Sequence, residues 1–497
     1  MQIRSFFAAA MLFLASVSVL ATPQARDGSE MWFNPSESGW GLNVYHQGDT
    51  LFAALFVYGP DSQPKWYVAS SLSGGPTTYS GALFEASGPP FFVAFDPATV
   101  SVRQVGTMTF TMGSFNAATL DYSVDGVHVT KSVVPFTFRK TNLTGNYYGY
   151  EYQPAANGTP EIRRDMNISI QDDGSSITMA DGSDSEGGCS YSGTHDQGGA
   201  IEIVTGTYTC AGSSGPWSMN VDLTPDGFTG SFTGHGITNS FGRIAAASRS
   251  TPQTEGNGWR TDNWFPPNES GWGLNTVEQG DTIFATLFVY DAQRKAHWYV
   301  ASALTLNSAT GGPNALFSGP LLESTGPYFG TAFNPASVTS RTVGSMAFQL
   351  TGRNTAVLSY SADGISVTKN VSRFAFRNND LSGSYIGHTA ATNADAPAGL
   401  TRNPILITIQ DGSGGFTMTT NPAPTGTPPT GSSCTFTGPP AVQFGAQKFV
   451  GGNFSCMGGQ SGTFSMDNLL VTFDGFTGSF QGLGVVGNIE GARLGTN

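Results

Sequence analysis

The chain has 497 residues; 39% are hydrophobic, 11% are charged, 65 are glycine, and the net charge is −13. That balance excludes a disordered chain, which needs low hydrophobicity and high charge. With no Lys/Arg run longer than a pair, it also excludes a nucleic-acid partner, which needs a concentrated basic stripe.

Low charge with abundant Gly, Thr, Ser, Phe and Val reads as an all-β protein with many tight turns. The N-terminus has the parts of a secretory signal: Arg4, an apolar run over 6–20, and a small-residue cleavage site at Val19-Leu20-Ala21. Residues 1–21 are therefore expected to be removed. No later run approaches the ~20 apolar residues of a spanning helix. The mature chain is expected to lack a transmembrane segment and to be secreted, periplasmic or part of the cell envelope.

Residues 39–47 alternate, with Trp40, Leu42 and Val44 on one face and Asn43, Tyr45 and Gln47 on the other, which predicts a strand. Gly48-Asp49 supplies a hairpin turn. Residues 51–58 are apolar on both faces and predict a strand covered on both sides. Residues 65–72 form a third strand with Trp66 and Tyr67, and 79–97, rich in Gly, Pro and Phe, shows no clear period. Residues 105–112, 118–124 and 127–138 alternate again, with a type I′ turn at Asp125-Gly126. The first large subdomain, 22–141, is thus an antiparallel meander of barrel-like form.

Shorter strands follow over 142–249, the first small subdomain, at 146–151, 167–171, 189–192, 201–210, 217–223 and 228–232. Cys189 and Cys210 fall here, and Cys434 and Cys456 recur at nearly equal spacing. An even count in an exported chain reads as disulfides. No Cys-x-x-Cys or nearby His pair supports zinc, so no metal is expected. Residues 250–263 read as a linker, 264–379 as a second large subdomain and 380–497 as a second small one. A Pro- and Thr-rich loop at 421–430 is present in the second copy only.

The repeat is most legible where WFNPSESGWGLNVYHQGD at 32–49 returns as WFPPNESGWGLNTVEQGD at 264–281. These stretches resemble repeats of exported bacterial proteins with the pattern W-[WF]-N-P-x-E-S-G-W-G-[LI]-N followed by Q-G-D-T-[LI]-F-A-T. The resemblance covers 32–140 and 264–378 and implies export and repetition, with no activity attached. Pro266 stands where the first copy has Asn34. The smaller subdomains are loosely similar to avidin-like or lipocalin-like barrels.

A chemical site common to both units must use residues present in both. No histidine passes: His46, His128, His297, His388 and His235 face Glu278, Ser366, Lys65, Tyr150 and Leu483, and His195 lies where the units differ. A shared His triad or metal centre is disfavoured. No nucleophile elbow, zincin, P-loop or EF-hand pattern occurs, so no cofactor is expected and no catalytic residue is assigned. Glu37/Glu269 recur; Glu37 either accepts backbone N–H groups across the Asn34–Gly39 turn or is a polar contact in a Trp-lined pocket. Lys131 is expected to reach the rim or to pair with a carboxylate such as Glu37.

The candidate ligand contacts are Trp32, Glu37, Asn43, Gln47, Tyr58 and Trp66 with their mates Trp264, Glu269, Asn275, Gln279, Tyr290 and Trp298. Trp66 is the candidate exposed stacking platform and Trp40 a core residue. The expected function is a non-catalytic, exported two-unit β-protein binding a glycan, small ligand or partner surface. One alternative is a glycan hydrolase using Glu37 or Glu269 as acid. The other is a structural envelope or matrix protein.

Overall fold

The computed structural model describes residues 27–114, 116–153, 162–182, 188–224, 227–234, 243–249, 260–307, 315–391, 402–422, 433–472 and 475–494. The signal peptide expected at 1–21 lies outside them, as do 250–259 of the expected linker and 423–430 of the Pro- and Thr-rich tract. Alternating strands joined by tight turns curl into four antiparallel modules in tandem. Eight strands from Glu30–Phe33 to Val127–Pro135 close the first barrel. Eight from Gly145–Gln153 to Arg243–Arg249 close the second. Asp262–Phe265 to Ile365–Arg373 closes the third, so Asp262 and Asn263 of the expected linker already belong to a strand. In the fourth module Cys434–Gly438 pairs with both Gly415–Pro422 and Gln447–Cys456, which joins the ends of its sheet. Among the described residues the helical content is two 3-10 turns, Pro97–Thr99 and Pro335–Ser337, and no helix is long and apolar enough to cross a membrane.

The period-2 pattern fills each interior. Met108, Phe110 and Met112 point into the first barrel beside Leu120 and Tyr122. Asp125 and Gly126 both take positive φ, 47° and 84°, as a type I′ turn demands. Both cysteine pairs are bonded, with Cα–Cα distances of 4.3 and 4.0 Å. Each bridge ties opposite positions of neighbouring strands in a small barrel.

The strand Thr50–Tyr58 shows why both of its faces are apolar. Leu51, Ala53, Leu55 and Val57 fill the first barrel, while Ala54, Phe56 and Tyr58 pack into the cluster of the third. The two large barrels are thus pressed together. Past its last strand, each chain segment crosses to the other barrel: Phe136 and Phe138 lie against Phe284, and Phe374 and Phe376 against Phe52. The unreadable stretch 79–97 holds the strand Thr78–Ser87 and then a flap that crosses likewise. Phe91 N–H donates to Tyr290 O, and Phe329 N–H to Tyr58 O, both at 3.2 Å. The reciprocal pairs describe a pseudo-two-fold relation between the units. The small barrels meet as well, Gly145–Gln153 and Arg243–Arg249 facing Gly383–Ala391 and Val485–Arg493.

Candidate functional site

Most of the duplicated motif is engaged across the boundary between the large barrels. The Trp66 indole donates to Val289 O at 3.0 Å, and Trp298 returns the bond to Val57 O at 2.9 Å. Trp66 is only 5% exposed, so the expectation of an open stacking platform is corrected. Its ring lies among Phe288 and Tyr290 because strand 64–74 turns that face toward the third barrel rather than to solvent.

Gln47 clamps the crossing segment of the other unit. Its Nε2 donates to Phe374 O at 3.1 Å, and its Oε1 accepts Phe376 and Arg377 N–H at 2.9 and 3.1 Å. Gln279 does the same to Phe136 O, Phe138 N and Arg139 N, at 3.0, 3.0 and 3.1 Å. Bidentate Arg377–Asp49 contacts, and Arg139–Asp281 contacts, close the clamps at the surface. Asn43 donates to Thr286 Oγ1 at 3.2 Å, whereas its mate Asn275 is buried beside the Tyr45 phenol. Trp32 and Trp264 are core residues, edge-on to Phe110 and Phe348 at 5.1 Å. Arg373 sits 4.5 Å over the Trp264 ring and pairs with Asp262.

Glu37 lies at the foot of the turn that opens the motif. Its Oε1 accepts Lys131 Nζ at 2.7 Å and its Oε2 the Trp40 indole at 3.2 Å. Glu269 repeats this with Lys369 at 2.6 Å and Trp272 at 3.1 Å. The Lys–Glu pairing is the second of the two options for Lys131. The expected bonds to turn backbone N–H groups are not what holds the carboxylate; the turn closes itself through Glu37 N–H to Asn34 O at 2.9 Å. The phenols of Tyr58 and Tyr290 donate to Gly39 O and Gly271 O. Gly39 has φ 126°, and a Cβ there would fall 2.7 Å from Val338 of the other unit. Glycine is needed at that position for both conformation and approach.

Around each Glu–Lys pair the walls are aromatic. The second crevice, a cavity of about 10 Å³, is bounded by Trp272, Tyr290 and Tyr360 and by Phe91 and Phe95 from the first unit's flap. Phe95 stacks on Tyr290, as Phe333 stacks on Tyr58 in the first unit. Burial pushes the phenols of Tyr122 and Tyr360 up, and their charged or polar neighbours include Tyr67 and Glu37, and Tyr299 and Glu269. In the second unit the phenols of Tyr290 and Tyr360 and the Lys369–Glu269 pair therefore line one cavity. The rims differ: Phe92 and Val93 are 41% and 46% exposed at the second crevice, where the other flap has Gly330 and Thr331.

Two clusters escaped sequence reasoning. In the first small barrel His195 lies between Glu202 Oε1 at 3.0 Å and Asp172 Oδ1 at 3.3 Å, all three side chains buried. Burial, and next the Asp172 charge, push Glu202 up to about 8. In the fourth module Asp411 is bonded instead to Lys448 Nζ at 2.6 Å and Ala441 N–H at 3.0 Å. Both clusters sit near hairpin tips that dock on the large barrels, where Ala200 N–H donates to Glu30 and Ala446 N–H to Asp262. A concavity of about 520 Å³ opens beside Asp411, with Gly412, Gly414 and Gly415 on its wall. Among the described residues no group of His, Cys, Asp or Glu is arranged to hold a metal ion.

No protein-family model matches the chain, and no curated protein or solved structure matches it.

Proposed function

We propose that this is an exported, non-catalytic β-protein whose two large barrels form one frame presenting a pair of aromatic crevices to a polymer or surface-bound partner. The observation that carries the reading is the cavity in which Tyr290 and Tyr360 meet the Glu269–Lys369 pair inside aromatic walls, with the Glu37–Lys131 pair as its counterpart in the first unit. A few polar groups meeting in an apolar recess is how ligand sites are usually built. Enclosed small-molecule sites span ~300–1,000 Å³, and the second crevice offers about 10 Å³. That is about the space of one water, so the recess takes no more than a single hydroxyl of a larger partner lying against its rim. A free ligand held whole does not fit.

The hydrolase alternative has less support, because both oxygens of Glu37 and of Glu269 are already engaged by Lys and Trp donors. A purely structural role is the second reading, favoured by the use of Gln47, Gln279, Trp66 and Trp298 in bonds between the barrels. Tyr122→Phe with Tyr360→Phe removes one phenol hydroxyl from each unit and keeps the rings. Screened on a glycan array and on immobilised envelope polymers, the wild type should bind a member of the panel and the double variant at least tenfold more weakly. Equal binding by both proteins would refute the crevice assignment, and no binding by either would favour the structural role.

A further inference from the structure

The interface between the large barrels is nearly symmetric, and its departures from symmetry are informative. Tyr45 and Val277 are equivalent positions on strands Gly41–Gln47 and Gly273–Gln279; Ala54 and Thr286 are equivalent on the strands beside them. Tyr45 is buried, and its phenol reaches across to donate to Thr276 O at 3.0 Å. Val277 is buried too, packed in a cluster that includes Met31 and Ala54 of the first unit. Asn43 finds the Thr286 hydroxyl, while its mate Asn275 has the methyl of Ala54 at the equivalent place and lies beside the Tyr45 phenol instead.

Consider the pairings that do not occur. Two first units face to face would bring two Tyr45 rings to a boundary now filled by one ring and one valine, and would take the Thr286 hydroxyl away from Asn43. Overpacking a close-packed boundary and losing a buried hydrogen bond are both destabilising. Two second units would put Val277 on both sides, losing a ring's volume and its bond to a backbone carbonyl. The observed pairing of unlike units sets one large residue, Tyr45, and one small one, Val277, at equivalent places on the two faces, with the Tyr45 phenol reaching the backbone next to Val277.

We propose that Tyr45 against Val277, supported by Asn43 against Thr286, makes the barrels recognise each other as unlike partners, so that a second copy of this chain can join the pairing only through its opposite unit. The partner that fits the first barrel's face is a second-unit barrel, in the same chain or in another. Chains of this design can exchange units between copies, each first unit seated on the second unit of its neighbour.

Full-length variants test this directly. Tyr45→Val leaves valine on both sides and Val277→Tyr leaves tyrosine on both, so each alone should lower the denaturation midpoint. Tyr45→Val combined with Val277→Tyr in one chain reverses the roles and should return the midpoint most of the way to wild type. Co-refolding the two single variants, differently tagged, lets the two valine faces of one copy meet the two tyrosine faces of the other. The mixture should form a 1:1 mixed dimer on light-scattering chromatography, with a midpoint above that of either variant refolded alone. The proposal is overturned if the swap loses as much as the two single losses together, or if the co-refolded mixture stays monomeric.

Discussion

Truncating Gln47 to alanine isolates what the motif contributes to the barrel pair. The side chain, 1% exposed, serves three backbone groups of the other unit: Phe374 O, Phe376 N and Arg377 N. Gln47→Ala strands at least the first two, at ~1–3 kcal/mol for each buried group left without a partner. Alanine has no rotamers for folding to fix, which offsets up to ~2 kcal/mol that ordering the glutamine costs. The balance is a loss of about 3 kcal/mol. Guanidinium denaturation followed by tryptophan fluorescence should show a lower midpoint with an unchanged slope, the signature of altered stability rather than altered compactness. Gln279→Ala should cost the same through Phe136 O and Phe138 N. A loss within ~0.5 kcal/mol, as at ordinary surface sites, would refute the role in pairing and return Gln47 to the ligand candidates.

Glu202, held near 8 in the fold against an ordinary 4.5, binds its proton more tightly folded than unfolded. Its contribution to stability is therefore greatest in acid and falls as pH rises from about 4.5 to 8, by roughly 3 kcal/mol at pH 7. Glu202→Gln should flatten that fall in pH-dependent melting of the first small barrel, and parallel profiles for variant and wild type would contradict it. Replacing Cys434 and Cys456 by serine opens a bridge between residues 22 apart in sequence and should cost the fourth module about 3 kcal/mol. Hydrogen exchange should then rise in that module and not in the large barrels. Gly39→Ala forces a side chain into φ 126° beside Val338, whereas Gly126→Ala at φ 84° meets nothing within 4 Å. The first should lower the melting temperature distinctly more than the second.

The strand alternation, the DG turns and the disulfide pairs were all legible, because period 2, turn chemistry and even cysteine spacing are local signals. The two-sided burial of 51–58 was legible too, but not what covers its outer face. Trp66, Gln47 and Asn43 have the composition of a ligand cleft, and a boundary between two copies of one unit asks for the same residues. The sequence displays two copies without showing that they face each other. The flap at 88–95 lacked a readable period because Phe91 and Phe95 serve the other barrel's wall, not a sheet of their own. The correspondence of Glu202 with Lys448 was hidden because the strand facing Lys448 is broken between Gly438 and Val442, where the first small barrel runs unbroken from Cys189 to Gly198.

The central claim, that the duplicated motif joins the two large barrels within one chain, has a direct chemical test. Asp61 and Lys295 belong to different units, lie 3.9 Å apart at their charged ends and are both more than half exposed. No cysteine among the described residues is free, so Asp61→Cys with Lys295→Cys introduces the only reactive pair. A short bismaleimide should link them within one chain, in high yield and independently of protein concentration, as read by peptide mass spectrometry. Absence of that link, or a link that forms only between chains, would contradict the account.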